Sequence, residues 1–128
     1  MKKITLALLL LSSFTFLFAQ APQKMSYQSV IRKTDGTLLA GTLVSIKTSI
    51  LAGSTSGTAS YVETQTTTTN SNGLATIEIG GGTPVTGTFS GINWGSGSHF
   101  IKTEFDPTGG TNYTISGTSQ LLSVPYAL

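Results

Sequence analysis

The chain has 128 residues, no cysteine, and only 9% charged side chains against 38% hydrophobic ones. Its formal net charge of +2 comes from Lys2 and Lys3; beyond them Lys24, Arg32, Lys33, Lys47 and Lys102 balance Asp35, Glu63, Glu78, Glu104 and Asp106. No basic patch is left for a nucleic-acid backbone, and without cysteine there is neither a disulfide nor a lipidated cysteine, so packing and backbone pairing must supply stability.

Met1, Lys2 and Lys3 make a short basic start, and Ile4 to Phe18 is apolar apart from Thr5, Ser12, Ser13 and Thr15. That order is the pattern of a helical secretory signal peptide. A membrane anchor needs about 20 apolar residues, so no span is expected in the mature chain. The small-x-small sequence Ala19-Gln20-Ala21 allows a cut after Ala19 or after Ala21. The second would leave Pro22 at the new N-terminus, which favours Gln20. The expected division is a signal at 1–19 and one domain at 20–128, secreted or held on the outer cell surface.

In the mature part, Met25, Tyr27, Ser29 and Ile31 alternate with polar neighbours as a first strand, and Asp35-Gly36 is a tight-turn pair. Val44, Ile46, Thr48 and Ile50 against Ser45, Lys47 and Ser49 give the cleanest period of two. After a Gly/Ser/Thr loop, Tyr61 to Thr69 is a β-branched run, with Tyr61, Glu63, Gln65 and Thr67 on one face. Asn70-Ser71-Asn72-Gly73 turns into a strand carrying Ala75, Ile77 and Ile79, which Gly80-Gly81-Gly82 ends. A long connection, Thr83 to Ser98, precedes a strand at His99 to Phe105. A turn at Asp106 to Gly110 follows, then a sixth strand around Tyr113 and Ile115 and a seventh at Leu121 to Val124.

No window past the signal has apolar residues at helical spacing. The fold class expected is all-β: an antiparallel two-sheet β-sandwich of about seven strands, Ig-like or transthyretin-like, with an open barrel as the other arrangement. Val44, Ile46, Ile50, Ile77, Ile79 and Ile101 are the expected core.

Candidate chemistry is sparse. His99, the single histidine, has Glu104 and Asp106 nearby in sequence, but five positions apart on a strand His99 and Glu104 point to opposite faces. A metal site would want further imidazoles or thiolates. The stretch Gly95-Ser96-Gly97-Ser98 lacks the strand-to-helix context of a nucleophile elbow. Gly80-Gly81-Gly82 lacks the helix and lysine of a phosphate loop. Asp106 to Asn112 offers too few carboxylates for calcium and reads as a plain turn. Neither catalysis nor a cofactor or metal is expected. Trp94 with Tyr61, Tyr113 and Tyr126 could form a sugar-stacking platform, although a lone tryptophan in a long connection more often plugs the open end of a sandwich.

Four stretches carry a resemblance: Ser26-Tyr27-Gln28-Ser29-Val30-Ile31-Arg32, the turn from Thr69 to Leu74, Gly110-Thr111-Asn112-Tyr113, and Ser119 to Leu128. They resemble the N-terminal module of secreted Bacteroidota-type fibre-like proteins, most specifically in Leu121-Leu122-Ser123-Val124-Pro125-Tyr126-Ala127. The resemblance implies a β-sandwich head followed by a collagen-like or coiled stalk or a tail-fibre-like region, and no catalytic residues. Relatives continue past the point matching Leu128, so the chain reads as a fragment or a stand-alone version. The expected function is a non-enzymatic structural or adaptor module, its apolar end leading to a downstream stalk domain or other surface protein. The alternative is a carbohydrate-binding adhesin domain, with a glycan as partner, using Trp94 and nearby tyrosines.

Overall fold

The computed structural model describes residues 24–122. The expected signal peptide, Tyr126, and the Ser123-Val124 half of the expected final strand lie outside the described residues. Seven strands follow in order: β1 (Met25–Val30), β2 (Leu43–Ala52), β3 (Ala59–Thr68), β4 (Leu74–Ile79), β5 (Thr83–Thr86), β6 (His99–Asp106) and β7 (Ile115–Leu121). They form two antiparallel sheets, a pair β1-β4 and a five-stranded sheet β5-β3-β2-β6-β7. This is the β-sandwich that the alternation predicts. The one helical element among the described residues is a 3₁₀ turn at Phe89–Gly91.

Period-two patterning sets the core. Val44, Ile46 and Ile50 of β2, Ile77 and Ile79 of β4, and Ile101 of β6 are all 5% exposed or less and share one hydrophobic cluster. Met25 and Tyr27 of β1 pack against it, while Ser26, Gln28 and Val30 face solvent. The turn before β4 forms as its composition demands. Gly73 takes a φ of 74°, which a side chain would resist, and Asn70 Oδ1 accepts from the backbone N–H of Asn72 and Leu74 at 2.9 and 3.0 Å.

Two assignments change. Thr83–Thr86, expected within a connection, is β5, paired with β3 at the edge of the large sheet. Pro84 is tolerated there because an edge strand needs hydrogen bonds on one side only. The strands expected around Tyr113 and Ile115 and from Leu121 onward are, among the described residues, a single strand, β7, that starts at Ile115 and runs through Gly117 to Leu121. An unbroken register with β6, from Phe105–Ile115 to His99–Leu121, overrides the weak local preference of Ser-Gly-Thr.

One seam of the sandwich is stitched by side chains. Gln65 Nε2 and Thr67 Oγ1, inward-facing on β3, donate to the carbonyls of Glu78 and Thr76 on β4 at 3.1 and 3.3 Å.

Thr48, in the middle of β2, is fully buried, and its hydroxyl has no hydrogen-bond partner among the described residues. An unpaired buried hydroxyl is unfavourable, and valine has nearly the same shape. Thr48→Val is therefore expected to raise the unfolding free energy by about 1 kcal/mol, read from urea denaturation at unchanged slope. A loss of stability would mean that the hydroxyl is satisfied.

Candidate functional site

The sandwich is organised around a buried carboxylate. Glu63, in the middle of β3, is 0% exposed. Tyr61 Oη donates to its Oε1 at 2.9 Å, together with the N–H of Gly80. Gln65 Nε2 and the N–H of Gly82 donate to its Oε2 at 2.5 and 3.0 Å. Gly80–Gly82 is where the chain leaves β4 in the small sheet and enters β5 in the large one. The glycine-rich bend does cradle an anion, and the anion is the protein's own side chain. A Cβ at Gly82 would overlap Glu63 Oε2 and come within 2.7 Å of Thr64 O, so only glycine allows this approach. Sequence reading missed Glu63. The available signal was its place on the same strand face as Tyr61, with a glycine triplet ending the next strand.

Beside this hub, aromatic rings close one end of the sandwich. Tyr61 meets Phe89 edge-on at 5.7 Å, Phe89 meets Trp94 at 5.8 Å, and Trp94 meets the His99 ring at 5.1 Å. Trp94 is 4% exposed and Tyr61 1%. The indole is a plug in the long connection, held on the 3₁₀ turn whose Thr88 Oγ1 accepts from the Gly91 N–H. His99 Nε2 lies 3.0 Å from the Asn93 carbonyl, and Nδ1 has no partner among the described residues. With Nε2 carrying the proton, the ring ties the connection to the start of β6. Burial pushes the Tyr61 phenol well above its ordinary pKa, and the hydrogen bond to Glu63 and the charge beside it add to the effect.

Asp106 organises the opposite end. Its Oδ1 accepts from the hydroxyl and the N–H of Thr108 at 2.6 and 2.8 Å, and its Oδ2 from the N–H of Asn112 at 2.9 Å. The Thr108 hydroxyl bond, followed by the backbone bonds, holds the carboxyl below its ordinary range. Asn112 immediately precedes Tyr113, so this turn positions the tyrosine. Tyr113 is half-buried and lines a groove of about 370 Å³ with Ser45, Thr64, Thr66, Thr83 and Thr111. Of the rings considered for a sugar platform, Trp94 and Tyr61 are interior, Tyr113 stands apart from them, and Tyr126 lies outside the described residues. The reason is packing, since large aromatics are worth most to a small core when fully buried. Among the described residues no three His, Asp or Glu side chains gather as a metal site, and no helix is long and apolar enough to cross a membrane.

A second groove, of about 320 Å³, runs along the seam between β1 and β7. Tyr27, Ser29 and Ile31 line one wall, and Thr103, Phe105 and residues 115–119 the other. The outermost strand on each side of it is a sheet edge, β1 in the small sheet and β7 in the large one.

A family model described as a domain of unknown function (DUF8740) matches residues 26–118. The chain belongs to this family. No curated protein and no solved structure matches it. The match runs from Ser26 in β1 to Thr118 in β7, so the DUF8740 domain takes in the Glu63 hub, the aromatic plug, the Asp106 turn and nearly all of both grooves.

Two of the perturbed groups, Asp106 and Tyr61, are buried in the fold and set a pH window for the DUF8740 domain. A lowered folded pKa at Asp106 contributes stability that is present above the unfolded value, about 4, and lost as pH falls through the folded value. A raised pKa at Tyr61 contributes stability that is complete below its unfolded value, about 10, and lost as pH rises beyond it. Asp106→Asn is expected to flatten the acid limb of a plot of melting temperature against pH, and Tyr61→Phe the alkaline limb. Parallel curves for variant and parent would show that the two groups do not set these limits.

Proposed function

We propose that this protein is a non-enzymatic secreted or cell-surface module, acting as the N-terminal head of a fibre- or stalk-bearing protein or as an adaptor. The observation that carries this reading is that its buried ionisable side chains are engaged in building the fold. Glu63 receives four donors at the sheet crossing, Asp106 three within its own turn, and His99 fastens the plug connection. Such groups are struts, not acids or bases poised over a substrate. The signal-like start and the likeness to fibre-protein heads add support. So does the exit of the chain from β7 through Leu122, which is 88% exposed. With a trimeric coiled coil fused behind Leu128, the domain should keep its own melting transition and be reached by protease added to intact cells. Loss of that transition, or protection of the domain inside the cell, would overturn the reading.

A carbohydrate-binding role is the second reading, and it rests on the Tyr113 groove alone, where one aromatic ring stands among serine and threonine hydroxyls. It predicts glycan binding that Tyr113→Ala removes while the blue-shifted emission of Trp94 stays unchanged.

A further inference from the structure

The sandwich has one seam closed and one open, and the difference lies in how its strand edges are finished. The edge of β4 is capped by Gln65 and Thr67. The outer strand of the large sheet on that side, β5, is four residues long, carries Pro84 and pairs through an irregular register. Such devices keep edges from taking up further strands. The edges at the open seam have none of them. β1 (MSYQSV) and β7 (ISGTSQL) contain no charge and no proline, and β7 keeps an unbroken register with β6 over seven residues.

The backbone groups along β1 point the same way. In an antiparallel ladder, residues alternate between pairs that bond each other and pairs that point their N–H and C=O apart. On β4, Leu74 bonds to Asn70, and Thr76 and Glu78 direct their carbonyls at β3. All three therefore face away from β1. Their partners Val30, Gln28 and Ser26 then present their own N–H and C=O groups to the open seam, where no described residue receives them. Beneath them, Gly117 and Ser119 share the inner face of the large sheet with Thr103 and Ile101, yet both are exposed because no strand of the small sheet covers them.

We propose that the β1–β7 seam is an acceptor site for an extended segment of a partner protein, which adds beside β1 as a third strand of the small sheet. Recognition is by backbone hydrogen bonds, with alternate side chains filling the floor formed by Thr103, Phe105, Ile115, Gly117 and Ser119. The groove carries a single charge, Arg32 at one end. The segment it fits is therefore neutral, apolar at alternate positions, and acidic at the Arg32 end. A second copy of the described fold fits less well, because the free edges it would offer, β1 and β7, carry no acidic residue to meet Arg32. The seam is independent of the head role, which is read separately by the fusion and surface-protease experiment.

The test uses the purified protein and two labelled peptides of about eight residues, enough to span β1, alternating valine and threonine with a glutamate at the first or the last position. At least one should bind saturably and slow hydrogen exchange at Ser26, Gln28 and Val30. A Cβ at Gly117 meets nothing within 4 Å and the residue is exposed, so the backbone accepts a side chain here, and Gly117→Phe is chosen to fill the groove. It is expected to weaken binding about tenfold or more at an unchanged melting temperature, whereas Gln120→Phe, on the opposite face of β7 and outside the groove lining, leaves binding intact. Failure of both peptides to bind, or equal binding by Gly117→Phe, would overturn the assignment. So would a homodimer that Gly117→Phe dissolves, or binding seen only after removal of residues 123–128, since these give the groove to a second copy or to the chain's own end.

Discussion

Glu63→Ala is expected to lower the unfolding free energy by about 4 kcal/mol, near the upper end for a single substitution. Four donors converge on this carboxylate: the Tyr61 hydroxyl, the Gln65 amide, and the N–H groups of Gly80 and Gly82. Leaving a buried donor without its acceptor is unfavourable by about 1–3 kcal/mol each, and water can reach part of the deficit at the glycines. Glu63→Gln keeps the shape and one acceptor oxygen but turns an NH₂ group toward two donors, so a smaller loss of about 2 kcal/mol is expected. Gly82→Ala should act in the same direction by forcing the bend away from Oε2 and Thr64 O. Urea titrations followed by Trp94 fluorescence measure all three. A loss below about 1 kcal/mol for Glu63→Ala would show that the sheet crossing forms without its anion.

Ile46→Ala is expected to lower stability by about 2–5 kcal/mol through lost transfer free energy and the cavity left behind. Ile46 is 1% exposed at the centre of β2, flanked by Gln65 of β3 and Phe105 of β6. The middle strand of a five-stranded sheet has little freedom to collapse into a void, which places the effect toward the upper part of that range. In a disulfide-free domain of this size such a loss is a large fraction of the total stability. Lys47→Ala is the control, since Lys47 lies on the other face of the same strand and its loss should change little. Equal effects at the two positions would mean that the faces of β2 are not distinguished by burial.

Patterning on its own was enough for the class of fold and the six expected core residues, because strand periodicity assigns faces: Val44, Ile46 and Ile50 share the face turned to the hydrophobic cluster, and Ser45, Lys47 and Ser49 share the other, where tertiary packing buries Ser45 and Ser49 as well. Turns with a local chemical cause were legible for the same reason, as Asn70 and Gly73 show. Long-range pairing was not. Whether Thr83–Thr86 is loop or strand depends on the free edge of β3, and whether β7 breaks at Gly117 depends on β6, neither of which lies nearby in sequence. The same limit hid Glu63. A lone glutamate in a threonine-rich strand reads as a solvent-facing charge until the fold brings two glycine amides, a tyrosine and a glutamine around it. The choice between a tryptophan plug, which the sequence favours, and a sugar platform needed the structure for the complementary reason: aromatic content is visible in a sequence, but which side of the core an aromatic ring occupies is not. The open seam between β1 and β7 is likewise a property of two distant edges. Composition shows only that both strands lack charge and proline, and the tertiary structure alone sets them beside one groove.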